Sequence, residues 1–204
     1  IETLYVFCMK ELNLVEKRFR EHEIEFCEKY SHRCMTHFYG FIKEENIIKG
    51  FIYEFMSNGS LLSYIKNKQS NDIFQKTTII RLFQCLDYLF QNSLIHRDIE
   101  PSNILINHDF IPFISDFETV RNVNQEGDDS TNEKMTNDIG SYPYMSPEQN
   151  SGGFTSFPAD IYSFGAVIYF LYEEENVLFS KKFATMTEND VLPKMTNGSQ
   201  NIQS

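Results

Sequence analysis

The residues of this 204-residue chain that could do chemistry are concentrated between positions 96 and 118. One segment reads His96-Arg97-Asp98-Ile99-Glu100-Pro101-Ser102-Asn103, and Asp116-Phe117-Glu118 begins thirteen positions after its last residue. Together they supply Asp98 as a candidate proton acceptor, with Asn103 and Asp116 as candidate oxygen ligands. Magnesium prefers hard oxygen ligands and is usually held by one or two carboxylates plus the phosphates of a substrate. The pattern therefore predicts a site that handles phosphate.

A short hairpin is expected to bring these groups together. The apolar runs 104–106 and 111–114 are separated by Asn107-His108-Asp109-Phe110, which is typical of two strands joined by a tight turn. If the two strands pair, Asp116 returns to within a few residues of Asn103. The carboxylate and the amide oxygen then lie beside the second carboxylate, that of Asp98.

Further strands and helices are expected before the hairpin. Residues 1–9 are predicted as a strand, about 14–30 as an amphipathic helix, and 37–56 as two strands around a polar turn at 43–46. From about 73 to 92, apolar residues at helical spacing predict a mostly buried helix that leads into the segment 96–103. The positions that carry this spacing are Ile79, Ile80, Phe83, Leu86, Leu89 and Phe90.

The order of these segments resembles that of the eukaryotic-type protein kinases. The segment 96–103 resembles the catalytic loop H-R-D-x-K-P-x-N, and Asp116-Phe117-Glu118 resembles D-F-G. Phe7-Cys8-Met9-Lys10 is similar to the V-A-I-K strand, and Glu23 falls where the family has its helix glutamate, nine residues before His32. Three other stretches also match in order: 51–61 as the fifth strand and hinge, 140–148 as G-T-x-x-Y-M-A-P-E, and 160–165 as the start of a large helix. The resemblance runs from Phe7 to about Leu171.

The resemblance implies an α+β, two-lobe protein-kinase-like fold. Residues 1–56 would form part of a small β-rich N-terminal lobe, 57–184 a larger helical C-terminal lobe, and 185–204 a polar tail that is expected to be disordered. No G-x-G-x-x-G motif occurs, and no arginine follows Arg121 that could pair with Glu148 as in the family. The chain is therefore expected to be a fragment, a partial gene model or a degenerate copy, with both lobes truncated.

The resemblance also implies ATP and Mg²⁺ as cofactors. Asp98 would accept the proton of a substrate hydroxyl, while Asn103 and Asp116 would hold magnesium against the β- and γ-phosphates. Lys10, oriented by Glu23, would contact the α- and β-phosphates. The remaining ATP-binding residues would be Tyr53 as the gatekeeper at the back of the adenine pocket, Glu54 and Met56 through their backbone groups, and Leu105.

Other residues are implied to support or regulate the site. Arg97 would pair with a phosphorylated activation segment, although an unmodified, solvated loop remains an equal alternative. The hydroxyls available there are Ser130, Thr131 and Thr136, and Ser141 stands where the family has the threonine of its substrate-binding loop. An apolar stack joining the lobes would comprise His96, Phe117, Cys27 and Phe38, and Asp160 would brace the backbone near His96 and Arg97.

Two departures from the family pattern leave the function open. Glu100 replaces the catalytic-loop lysine, and a carboxylate there loses an attraction and adds a repulsion, each on the order of 4 kcal/mol at about 4 Å. Glu118 replaces the flexible glycine of D-F-G. The first hypothesis is a Ser/Thr protein kinase, which the Pro-Ser-Asn ending of the loop favours. The alternatives are a pseudokinase that acts as a nucleotide-binding or scaffolding module, and a small-molecule phosphotransferase.

Composition limits the partners. With 18 Lys plus Arg against 29 Asp plus Glu, the net charge of −11 argues against a nucleic-acid or anionic-membrane surface. Four cysteines without C-x-x-C spacing are expected to be buried free thiols in a reducing compartment. The apolar stretch 161–172 is too short for a membrane span, and no signal peptide is visible. The expected partners are ATP and protein substrates or regulatory proteins, in the cytoplasm.

Overall fold

The structure is a computed structural model that describes residues 7–11, 17–45, 47–67, 70–123, 144–150 and 156–173. Its N-terminal part is an antiparallel sheet with the strand order β1-β3-β2. The strands are β1 (Phe7–Glu11), β2 (Phe38–Glu44) and β3 (Ile47–Glu54), and helix α1 (Lys17–Lys29) lies between β1 and β2 in the chain. The expected strands and helix are thus present among the described residues, and the predicted positions 1–6 and 14–16 lie outside them.

The central strand β3 needs a glycine where it passes Lys10. Gly50 is buried, and a Cβ atom there would lie 2.9 Å from the backbone oxygen of Lys10, closer than a side chain tolerates. The absence of a side chain lets β1 pair closely with β3, with Lys10 opposite Phe51. Phe51 is fully buried, and a shift by one residue would turn it to the other face of the sheet. The register of β1 on β3 is therefore fixed by Gly50 and by Phe51.

The rest of the described chain is mainly helical. It contains α2 (Leu61–Lys66), α3 (Asp72–Gln91), α4 (Pro147–Asn150) and α5 (Phe157–Glu173), with short strands β4 (Leu94–Ile95), β5 (Ile104–Ile106), β6 (Pro112–Ile114) and β7 (Arg121–Asn122). Asn71 caps α3 by accepting a 2.9 Å hydrogen bond from the Phe74 backbone N–H, and Asp72 lies in the first turn. Helix α3 packs against α5 and β6, and this contact forms the main core.

The burial of α3 differs from the prediction. Ile80, Phe83 and Phe90 are exposed, although their spacing indicated the buried face. Leu86 and Leu89 are buried as expected, and the buried face also includes Phe74, Thr78, Leu82 and Cys85. The helix is thus apolar around more of its circumference than its packing partners cover, and spacing alone could not tell which apolar stripe faces them.

The expected hairpin of β5 and β6 is present. Ile104 pairs with Ile114 and Ile106 with Pro112. The Asn107 side-chain oxygen accepts hydrogen bonds from the backbone N–H groups of Asp109 (3.0 Å) and Ile111 (2.9 Å), and it thereby closes the turn.

The cysteine prediction is only partly correct. Cys8, Cys27, Cys34 and Cys85 are all free thiols, but Cys34 and Cys85 alone are buried. Cys8 is exposed because β1 is an edge strand of the described sheet, and its neighbours Phe7 and Met9 are exposed as well. No helix within the described ranges is long and apolar enough to cross a membrane. The predicted tail at 185–204 lies outside the described residues.

Candidate active site

The segment 96–103 is held by a buried carboxylate from α5. Asp160 is 4% exposed, and its two oxygens accept hydrogen bonds from the backbone N–H groups of His96 (2.6 Å) and Arg97 (2.8 Å). Burial raises the pKa of Asp160 to about 6, although these hydrogen bonds and the charge of Arg97 favour the ionised form. The backbone of Arg97 has a φ of +74°, which is uncommon for a residue with a side chain. Asp160 thus holds the loop in a conformation that it would not adopt alone, as the resemblance implied.

Asp98 and Asn103 are in direct contact across this loop. The Asn103 side-chain nitrogen donates hydrogen bonds to the Asp98 carboxylate (2.7 Å) and to the Asp98 backbone oxygen (3.0 Å). Because the nitrogen faces Asp98, the amide oxygen of Asn103 faces away from it. That oxygen is therefore not used in the bonds to Asp98.

The hairpin brings Asp116 to the same place. The backbone oxygen of Asn103 accepts hydrogen bonds from the Ser115 backbone N–H (2.8 Å) and from the Ser115 hydroxyl (2.9 Å), so Asp116 follows a residue bonded to Asn103. Asp116 has a φ of +63°, a conformation that aspartate tolerates better than most residues. The 98, 103 and 116 positions therefore share one region of the molecule.

This donor set fits magnesium. One carboxylate and one amide oxygen are hard ligands, and Mg²⁺ completes its shell with water and phosphate oxygens instead of an all-protein cage. Among the described residues, no group of three or more His, Cys, Asp and Glu side chains could hold a metal ion. The expected ligands, Asn103 and Asp116, could bind a cation together with the phosphates of a nucleotide.

Lys10 reaches the same region from β1. Its ammonium nitrogen lies 3.1 Å from an Asp116 carboxylate oxygen, 3.4 Å from Glu23 and 3.4 Å from Glu118. Burial acts to lower the pKa of Lys10, but Glu23, Asp116 and Glu118 outweigh it and raise that pKa above its ordinary value. Lys10 is therefore a permanent cation that links β1 to α1 and to the 116–118 segment.

Glu23 is fixed by Tyr53 as well as by Lys10. The Tyr53 hydroxyl donates a 2.6 Å hydrogen bond to a Glu23 carboxylate oxygen, and the Cys27 sulfur lies 3.6 Å from the same hydroxyl. Glu23 is 2% exposed, and burial raises its pKa although Lys10 and Tyr53 favour the charged form. The sequence indicated Tyr53 only as a gatekeeper, and the bond to Glu23 depends on β3 and α1 meeting in space.

The predicted adenine contacts lie where the sheet meets the helical part. The Glu54 backbone N–H donates to the His37 backbone oxygen (2.9 Å), and the Met56 backbone oxygen accepts from Gly59 (3.1 Å). Met56 is buried, and Leu105 lies on β5 in a bridge with Ser60. The hinge is thus bonded to the hairpin that carries Asn103.

The chain matches a known family over nearly its full length. A family model described as "Protein kinase domain" covers residues 1–202. The chain belongs to the protein kinase family.

Its curated relatives include cysteine-rich receptor-like protein kinase 8 of Arabidopsis thaliana, 33% identical over 191 residues that cover 86% of the chain and 26% of the relative. A G-type lectin S-receptor-like serine/threonine-protein kinase of the same plant is 30% identical over 177 residues, covering 83% of the chain and 20% of the relative. The chain thus spans only about a quarter or less of the length of these relatives.

A solved structure has the same fold. The crystal structure of the yeast RNA Pol II CTD kinase CTDK-1 complex contains a chain with a TM-score of 0.69 and 21% identity, and the match covers 86% of this chain and 59% of that one. At that identity the likeness shows the fold alone. The predicted α+β, two-lobe protein-kinase-like fold is confirmed.

The apolar stack of this kinase domain contains two of the four predicted members, His96 and Phe117, together with Phe26, which the sequence did not indicate. The Phe117 ring stacks on Phe26 with 4.9 Å between ring centroids and meets the His96 ring at 5.7 Å. Cys27, which the resemblance placed here, contacts the Tyr53 hydroxyl instead, and Phe38 packs on Phe51 and Tyr53. One position along α1 turns the side chain by about 100°, so Phe26 and not Cys27 faces Phe117. Burial lowers the pKa of His96 to about 4, and the ring is neutral in the stack.

A second arginine accompanies Arg97. Burial, and then the charge of Arg121, lower the pKa of Arg97 to about 10, so the two guanidinium groups are near each other. Arg121 on β7 also donates to the backbone oxygens of Val120 (2.7 Å) and Glu118 (3.3 Å). No motif indicated Arg121. The hydroxyls that were expected to carry a phosphate, Ser130, Thr131 and Thr136, lie outside the described residues, as does Ser141.

Glu100 lies on the 96–103 loop and Glu148 lies on helix α4. Glu100 is half-buried, and its charge adds to burial in raising the pKa of Tyr144. Glu148 is exposed in α4, which Ser146 and Gln149 cap reciprocally through bonds of 3.3 and 3.0 Å. The short helix that carries Glu148 is therefore stable at its start.

Proposed function

We propose that this kinase domain transfers the γ-phosphoryl group of ATP to serine or threonine hydroxyls of protein substrates. The observation that carries the proposal is the grouping of Asp98, Asn103 and Asp116 around one loop, with Lys10 bonded to Asp116. The name of one relative, a serine/threonine-protein kinase, agrees with this substrate class.

The nucleotide would be held from two sides. Asn103 and Asp116 would bind Mg²⁺, which when bound neutralises charge on the β- and γ-phosphates. Lys10, kept in place by Glu23, would donate to the α- and β-phosphates. Glu54, Met56 and Leu105 would surround the adenine, and Tyr53 would limit the depth of the pocket.

Asp98 would accept the proton of the attacking hydroxyl. Its carboxylate already accepts a hydrogen bond from Asn103, which fixes its orientation on the loop. Phosphoryl transfer depends mainly on positioning and charge, so this orientation is the principal task of the loop. Glu100 has the wrong charge to assist the transferred phosphate, and we expect the domain to be slow.

Transfer of radiolabelled phosphate from ATP to a generic basic protein tests the proposal. We expect Asp98→Asn to lower the rate by about a hundredfold or more, because general-base catalysis contributes on that scale. Asp116→Asn should lower it similarly, whereas Asp109→Asn, at the exposed hairpin turn, should leave it unchanged. Equal rates in wild type and Asp98→Asn would contradict the assigned role.

A second candidate is a pseudokinase that binds nucleotide or protein partners without catalysis. Glu100 and the contact of Glu118 with Lys10 favour it, because both place negative charge near the expected phosphates. If Glu100→Lys raises the transfer rate about tenfold, the enzyme hypothesis holds and that carboxylate is its handicap. If no variant transfers phosphate and millimolar Mg-ATP leaves the melting temperature unchanged, the chain is an interaction module.

A further inference from the structure

The Lys10 ammonium, which would bind the phosphates of a nucleotide, contacts the Glu118 carboxylate. The Glu118 carboxylate lies 3.4 Å from the Lys10 ammonium, and their side chains are 30% and 33% exposed. The pair is therefore reachable from solvent, unlike the buried Glu23 on the other side of the same ammonium. Of the carboxylates bonded to Lys10, Glu118 has no role in the proposed chemistry.

The charges around Lys10 do not balance. One ammonium faces the carboxylates of Glu23, Asp116 and Glu118, so the cluster carries a net charge of −2 when all are ionised. A nucleotide adds further negative charge at the same place. Its phosphates must either share the ammonium with Glu118 or displace Glu118 from it.

Glu118 makes its contact with Lys10 without a strained backbone conformation. Glu118 is absent from the described residues that have a positive φ, whereas Asp116, two residues before it, has a φ of +63°. No glycine-only conformation is therefore needed at 118. Its side chain is exposed enough to swing into solvent once Lys10 finds another anion.

We propose that Glu118 is an internal competitor of nucleotide phosphate, which occupies the Lys10 ammonium in the nucleotide-free domain and must leave it when nucleotide binds. This inference rests on the proposed nucleotide-binding function. It makes affinity strongly dependent on a divalent cation, since a cation offsets the repulsion between the phosphates and the remaining carboxylates.

Titration of a fluorescent ADP analogue into the full 204-residue chain tests this, with Mg²⁺ and separately with EDTA. We expect Glu118→Gln, which keeps the shape and removes the charge, to tighten binding about three- to tenfold with Mg²⁺. The gain should be larger in EDTA. Glu118→Gly, which restores the residue usual in the family, should behave in the same way, and Glu28→Gln, an exposed charge removal on α1, should change nothing.

The other outcomes each overturn the inference in a distinguishable way. Equal affinity in wild type and both Glu118 variants would overturn it and leave nucleotide binding standing. Weaker Mg-ADP binding in Glu118→Gln would make Glu118 a ligand of the cation instead of a competitor. If neither wild type nor any Glu118 variant binds the analogue, the proposed function fails and this inference fails with it.

Discussion

The 96–103 loop and the Lys10 cluster, in which Lys10 contacts Glu23, Asp116 and Glu118, lie side by side but are built differently. The loop is held by hydrogen bonds from its own backbone to the buried Asp160 carboxylate. The cluster is held by charge, with Lys10 surrounded by carboxylates of which Glu118 and Asp116 are partly exposed. Backbone bonds in a dry environment have few alternatives, whereas exposed ion pairs exchange partners easily. The comparison indicates that the loop is a preformed scaffold and the cluster is the part that rearranges.

The largest effect on stability is expected when the hydrogen bonds between the loop and Asp160 are removed. Asp160→Ala removes two charge-assisted hydrogen bonds and leaves the His96 and Arg97 backbone N–H groups buried without acceptors. We expect a loss of about 4 kcal/mol in the free energy of unfolding, measured by urea denaturation. Asp87→Asn on the exposed side of α3 is the matched control and should cost less than about 0.5 kcal/mol. A small effect of Asp160→Ala would remove the distinction between scaffold and cluster.

Acid should weaken the scaffold through His96. Its folded-state pKa of about 4 lies below the ordinary value of 6.5, so the unfolded chain binds more protons between these values. The stability that neutral His96 contributes is complete above about pH 6.5 and is lost as the pH falls toward 4, by roughly 2 to 3 kcal/mol. Asp160, whose pKa is raised to about 6, acts in the opposite direction, so the test is the difference between wild type and His96→Phe, which should change with pH in that window, as followed by urea denaturation at several pH values. Parallel curves for the two proteins would contradict the assignment.

A smaller effect is expected in the cluster. Tyr53→Phe removes the 2.6 Å hydrogen bond to Glu23 and leaves one buried carboxylate oxygen less well satisfied. The expected loss is about 1 to 2 kcal/mol, with Tyr39→Phe on the exposed face of β2 as the control. If Tyr53→Phe costs as much as Asp160→Ala, the cluster is as rigid as the loop and the comparison fails.

Local motifs predicted the hairpin beside the scaffold well because its contacts are close in sequence. The turn at Asn107 closes the hairpin by bonds within four residues, and that hairpin alone returns Asp116 to Asn103. Counting back nine residues from His32 also selected Glu23, and Glu23 is the glutamate that meets Lys10.

The remaining contacts depend on how separate elements approach each other. From the sequence, Glu118 was interpreted only as the replacement of the D-F-G glycine. Its contact with Lys10 requires β1 and the 116–118 segment to meet in space, although more than a hundred residues separate them in the chain. Whether Phe26 or Cys27 packs on Phe117 depends on the rotation of α1 about its axis. The exposure of Phe83 depends on which apolar stripe of α3 packs against α5. Helical spacing fixes neither rotation.

The most direct test of the account is a crystal structure of the domain with Mn²⁺ and a non-hydrolysable ATP analogue, with the anomalous signal locating the cation. We expect the cation about 2.1 Å from the Asn103 amide oxygen and an Asp116 carboxylate oxygen, with Glu118 turned away from Lys10. A cation bound elsewhere, or a nucleotide whose phosphates do not approach Asn103 and Asp116, would contradict the proposed phosphoryl-transfer site.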